Sequence, residues 1–161
     1  MRLMGIDLAW KSDRNTTAVA IGDLEGKSLR VRKIEPELRS VEQLEALICN
    51  EDRLVGVAVD APLIINNQSG QRECERSLAS HYARRKVSCH SSNLHRYPNA
   101  ASVRLSVYLK ERGFEHLRNV SEGGFQIECY PHPAIIEIFG LAERLKYKKG
   151  DVSLRKRGQM K

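Results

Sequence analysis

Apolar and polar positions along this chain read as strands first and helices later. Residues 2–8 form a short apolar run, as a buried strand does. Residues 16–21, Thr-Thr-Ala-Val-Ala-Ile, predict a second strand, and the segment Gly22-Asp23-Leu24-Glu25-Gly26 supplies a turn. Over residues 28–34, Leu29 and Val31 alternate with Arg30 and Arg32, which predicts a half-exposed third strand. Three strands joined by short connections make an antiparallel meander.

A helix follows. Ser40 is placed to cap it, and Gln43, three residues on, completes a capping box. Val41, Leu44, Leu47 and Ile48 give its apolar stripe. Residues 54–59 are then apolar without alternation, the pattern of a strand covered on both faces. A strand reached through a helix pairs most simply in parallel with an earlier one. Residues 61–70 read as loop, 71–86 as helix with Cys74, Leu78 and Tyr82 spaced by four, and 87–99 as polar and irregular. Residues 100–112 are helical in pattern and stop at Gly113. Residues 125–130 predict a further strand whose core side is Phe125, Ile127 and Cys129 if Gln126, Glu128 and Tyr130 share the other. Pro133 suits the first turn of a last helix, which Gly140 weakens near its end.

Composition bounds the function. With 161 residues, 41% hydrophobic and 29% charged, the chain is expected to fold as one domain over 1–161, with a basic tail from about residue 148. No stretch is long and apolar enough for a bilayer-crossing helix, so no membrane partner is expected. The strand pattern begins too early for a signal peptide, so the expected location is cytoplasmic. Cys49, Cys74, Cys89 and Cys129 then read as reduced thiols, with Cys49 and Cys129 in apolar patterns that suggest core positions. The net charge is +7, and the basic excess lies in the second half, in Arg84-Arg85-Lys86, Lys146–Lys149 and Arg155-Lys156-Arg157. Such a distribution points to a polyanion, and so to nucleic acid, as partner; the alternative is a solvated surface.

The candidate chemistry lies in three carboxylates placed in or at the end of apolar runs. Asp7 closes Leu3-Met4-Gly5-Ile6, Asp60 closes residues 54–59, and Glu128 sits within Phe125–Tyr130, ahead of Pro131-His132-Pro133. Each alone reads as a turn or capping residue. Converging, the three have the chemistry of a magnesium site, because magnesium takes hard oxygen ligands and keeps several waters. Two such ions can clamp the attacking and leaving oxygens of a phosphodiester.

The ordered set of segments resembles the DUF429 family, described as predicted nucleases of ribonuclease H-like fold. The matching residues are Gly5-Ile6-Asp7-Leu8-Ala9-Trp10, Val57-Ala58-Val59-Asp60-Ala61-Pro62-Leu63, Arg72-Glu73-Cys74-Glu75, Glu128–Pro133 and Leu145–Gly150. The resemblance implies an α/β ribonuclease H-like fold. Its mixed sheet would carry strands 1-2-3 antiparallel and later strands parallel, flanked by helices. It implies a metal-dependent nuclease in which Asp7, Asp60 and Glu128 hold Mg²⁺ or Mn²⁺ and carry catalysis. Arg72 and Glu73 would support or face substrate, His132 would orient a ligand or a water, and Lys146 and Lys148 would meet phosphate. Members of this fold usually draw a last acid from a C-terminal helix, whereas Asp151 is the only acid here after Glu143. Either the chain is a truncated piece or the site lacks a part. An uncovered face would then be met by a partner chain or a second copy of this one.

His81, His90, His95 and His132 with Cys74 and Cys89 lack the spacing of a zinc site. Trp10, three residues beyond Asp7, suits either stacking on a base or capping a strand. Neither G-x-x-x-x-G-K-[ST] nor G-x-G-x-x-G is present. Two rival functions stand beside the nuclease. One is a non-catalytic nucleic-acid or protein-binding module of the same fold. The other is a sugar kinase or ATPase-like enzyme, to whose first phosphate loop Asp7 followed by Thr16-Thr17 is loosely similar.

Overall fold

The computed structural model describes residues 1–9, 15–38 and 40–145. The expected meander is present: Arg2–Asp7 (β1), Thr17–Glu25 (β2) and Ser28–Leu38 (β3) pair antiparallel in turn. The reversal is tighter than the glycines suggest. Gly22 lies inside β2, paired with Leu3 on one side and Val31 on the other, and Gly26-Lys27 alone makes the turn. Gly26 adopts φ +58°, a left-handed conformation that costs glycine little. On β3 the apolar side is exposed as well: Leu29, Val31 and Ile34 all face solvent.

Val41–Asn50 (α1) carries both halves of the capping box. Ser40 Oγ accepts from Gln43 N–H and Gln43 Oε1 accepts from Ser40 N–H. Leu54–Val59 (β4) then returns parallel to β1, and Phe125–Glu128 (β6) lies parallel to β4. A two-residue strand, Glu115–His116 (β5), pairs in parallel on the outer side of β6; it is too short to leave a pattern in the sequence. The result is one mixed sheet in the order β3-β2-β1-β4-β6-β5. The other helices are Glu73–Tyr82 (α2), continued by a short 3₁₀ turn, Ala101–Glu111 (α3) and Pro131–Phe139 (α4). The last starts two residues earlier than Pro133, with Pro131 in its first turn, and Gly140 ends it in a left-handed conformation. Among the described residues no helix is long and apolar enough to cross a membrane.

The chain divides into two compact units, one of residues 1–69 and 92–129, the other of residues 70–91 and those from 130 on. The first holds the whole sheet. Its core lies on one sheet face, where Met4, Ile6, Val19, Ile21, Val57 and Val59 meet Leu44 and Ile48 of α1 and Leu105 and Leu109 of α3. At the start of β1, Arg2 bonds Asp23 of β2 and Glu51 after α1, and Arg32 of β3 bonds the same Asp23. In the second unit, Arg85 pairs with Glu137 and Lys86 with Glu143, which ties the end of the α2 segment to α4 and the residues after it.

Two expectations about core residues are corrected. On β6 the buried side chain is Gln126, not the apolar set: its amide donates to Ser106 O at 2.9 Å and Phe114 O at 2.8 Å, while Phe125, Ile127 and Cys129 are half-buried. Two carbonyl acceptors pair the Gln126 Nε2, whereas among the described residues its buried Oε1 has no partner. Cys49 is exposed at the end of α1, its Sγ 3.2 Å from Tyr108 Oη, where a polar partner replaces apolar packing.

Gly56 faces Phe125 in the register of β4 with β6, and a Cβ there would overlap the Phe125 ring. A Cβ at Gly5 would meet nothing within 4 Å. Gly56→Ala is therefore expected to lower stability by about 1–3 kcal/mol, with Gly5→Ala far milder, in urea unfolding followed by circular dichroism. Adding Phe125→Leu to Gly56→Ala is expected to recover part of the loss.

Candidate carboxylate site

Parallel pairing aligns the C-terminal ends of β1, β4 and β6. Ile6 lies opposite Val59, and Val59 opposite Glu128. The ladder runs one rung further: Asp60 N–H donates to Ile6 O at 2.8 Å and Cys129 N–H donates to Val59 O at 2.9 Å. The next positions along that register are Asp7, Asp60 and Cys129. Three of the sequence-predicted residues, Asp7, Asp60 and Glu128, are thus brought to one end of one sheet. Asp7 is exposed, and Asp60 and Glu128 are half-buried.

The carboxylates do not all leave the sheet the same way. Side chains alternate along a strand, and in-register neighbours share a face. Ile6 and Val59 point into the core. Glu128, opposite Val59, leaves on their side, whereas Asp7, one residue past Ile6, leaves on the other. Glu128 Oε2 accepts from Leu63 N–H at 3.1 Å, three residues beyond Asp60. Among the described residues no group of three or more His, Cys, Asp or Glu is arranged to hold a metal ion.

The described residues just after Asp7 and Asp60 are held by polar side chains that sequence reading did not single out for this purpose. Buried Thr17, at the start of β2, accepts from Ala9 N–H through its Oγ1 at 3.0 Å and so fixes the chain beyond Asp7. Ser102 of α3, also buried, donates through its Oγ to Pro62 O at 2.5 Å and fixes the chain beyond Asp60. Leu94 N–H and His95 N–H donate to Asn67 O and Gln68 O, which brings the polar loop alongside the segment after β4. A shallow recess lined by Leu8, Ala61, Pro62, Tyr97, Ala101 and Ser102 adjoins both turns. The only sequence signals for these residues were the Thr16-Thr17 pair and the polar, irregular segment 87–99 that holds Tyr97; Ser102 lies inside a helical pattern with nothing to mark it.

The electrostatics report the gathering of charge. The Cys129 thiol is pushed up to about 11, first by burial and then by the negative charges of Asp60, Glu128 and Asp7. Cys49 lies in the opposite environment: hydrogen bonds from Tyr108 and then Arg112 hold its thiol below the usual value, against the opposing charge of Glu45.

The remaining sequence-predicted residues lie in the second unit or outside the described residues. Arg72 precedes α2 and is bound through Nε to Glu75 Oε1 at 2.8 Å, and Glu75 Oε2 accepts from Arg72 N–H at 3.0 Å. Glu75, buried, is the structural partner that the motif Arg72-Glu73-Cys74-Glu75 supplies, and Glu73 is exposed. His132, in the first turn of α4, packs its ring edge-on against Tyr130, whose hydroxyl donates to Ser88 O at 2.9 Å. Trp10, Lys146 and Lys148, with the basic tail, lie outside the described residues.

The profile of the family described as "Protein of unknown function (DUF429)" matches residues 5–160. No curated protein and no solved structure matches the chain.

Asp60→Asn removes a negative charge beside Cys129 and is expected to lower its thiol pKa. More thiolate is then present at a given pH, so Cys129 should alkylate faster in the variant than in the parent at pH 8. Iodoacetamide labelling read by peptide mass spectrometry checks this, with Cys49 expected to react first and at an unchanged rate in both proteins.

Proposed function

The chain belongs to the DUF429 family, and we propose that it is a metal-dependent nuclease hydrolysing phosphodiester bonds of DNA or RNA. The observation that carries this reading is the delivery of Asp7 and Asp60 side by side, at the C-terminal ends of adjacent parallel strands. The donor chemistry fits Mg²⁺ or Mn²⁺, since two carboxylates offer hard oxygens at a rim where water has access. Bound there, the ion would activate a water and stabilise the leaving oxygen.

The chain's own residues prepare that chemistry. Thr17 holds Ala9, two residues beyond Asp7, and Ser102 holds Pro62, two residues beyond Asp60, which limits the freedom the two carboxylates lose on binding. The basic excess of the second half supplies sequence-independent attraction for the phosphate backbone. Four free cysteines accord with a cytoplasmic location.

A second reading, a nucleic-acid-binding module without catalysis, is favoured by one observation. The third carboxylate, Glu128, is turned to Leu63 N–H, and no three-residue metal group is assembled among the described residues.

Labelled single-stranded, duplex, hybrid and branched nucleic acids, each with Mg²⁺, Mn²⁺ or chelator, separate the two. The nuclease reading expects cleavage that needs metal and falls to background in both Asp7→Asn and Asp60→Asn. Salt-sensitive binding without cleavage, unchanged in those variants, would establish the binding module instead.

A further inference from the structure

We infer that Glu128 is a positioning residue that sets Asp60 through the turn after β4, and not a direct ligand of the metal. The inference rests on the reading of Asp7 and Asp60 as metal-facing carboxylates. Three features carry it. Glu128 is in register with Val59, whose side chain is buried in the core, so it leaves the sheet on the side away from Asp7. Its Oε2 accepts from Leu63 N–H at 3.1 Å, a charge-assisted bond to backbone. The same four-residue turn is gripped at three further points: Asp60 N–H on Ile6 O, Pro62 O on Ser102 Oγ, and the Leu63 side chain, 1% exposed, in the core. With Pro62 restricting the backbone between them, anchoring Leu63 limits where the Asp60 carboxylate can go. A group already engaged with the backbone in this way orients a ligand, as residues behind metal-binding side chains commonly do.

The conservative variant discriminates the two roles. Glu128→Gln loses the charge but keeps a carbonyl oxygen able to accept from Leu63 N–H. Titration with Mn²⁺ by electron paramagnetic resonance, with amide exchange at Leu63 and circular dichroism as controls, is applied to the parent, Glu128→Gln, Glu128→Ala and Asp60→Asn. The expected result is Mn²⁺ affinity within about threefold of the parent in Glu128→Gln, with Leu63 still protected. Glu128→Ala should lose that protection and weaken Mn²⁺ by about tenfold or more. Asp60→Asn should lose Mn²⁺ while keeping Leu63 protected. A loss of tenfold or more in Glu128→Gln with Leu63 protected would overturn the inference and make Glu128 a ligand. Unchanged Leu63 exchange in both Glu128 variants would also overturn it, because the anchor would then be absent. If Glu128→Ala does not fold, Glu128→Gln still decides. If the parent binds no Mn²⁺, the metal reading fails by itself, and the Leu63 exchange separately tests whether Glu128 holds the turn.

Discussion

Parallel pairing of β1 with β4, and of β4 with β6, is the constraint on which the rest of the site depends. Parallel strands run the same way, so their C-terminal ends meet at one edge, and residues far apart in sequence arrive there together. The register Ile6–Val59–Glu128 is specific because Ile6 and Val59 belong to the core. A slip of one residue would turn those side chains out of the core and the aspartates that follow them, Asp7 and Asp60, into it. Core packing by α1 and α3 therefore does more than stabilise the sheet: it sets which carboxylate stands beside which.

Polar side chains then finish what the apolar core begins. Thr17, Ser102, Glu128 and Gln126 each bond backbone groups in loops or helices next to the strands. Buried or half-buried, such groups are stable only when paired, and each pairing removes freedom from a turn. The backbone so restrained is that just after Asp7, at Ala9, the turn after Asp60, and the segment from α3 to β6. A site built on clamped turns at strand ends combines the rigidity of the sheet with the exposure of a loop.

Much of the fold was legible in the chain. The capping box at Ser40 and Gln43 and the unbroken apolar run of β4 each state a local preference that the tertiary structure left in place, and β3 forms as a strand although its apolar side stays exposed. The failures have physical causes. Gly22 read as a turn residue because glycine permits turns, but two neighbouring strands pair with it. Gln126 read as the polar side of a strand because nothing in the sequence announces two carbonyls waiting for an amide. Cys49 read as core from its apolar neighbours, and stands exposed next to Tyr108 and Arg112.

The candidate site divides along the same line. By itself the sequence determined that Asp7 and Asp60 end buried strands, since an apolar run that stops at a carboxylate can bury only the part before it. It also determined the basic excess of the second half, which no folding can change. Only the tertiary structure decided that the two aspartates are neighbours, that Glu128 reaches the backbone of Leu63, and that Thr17 and Ser102 hold the turns between. Those facts depend on register and on contacts between residues from 8 to 65 positions apart, and local pattern carries no information about either.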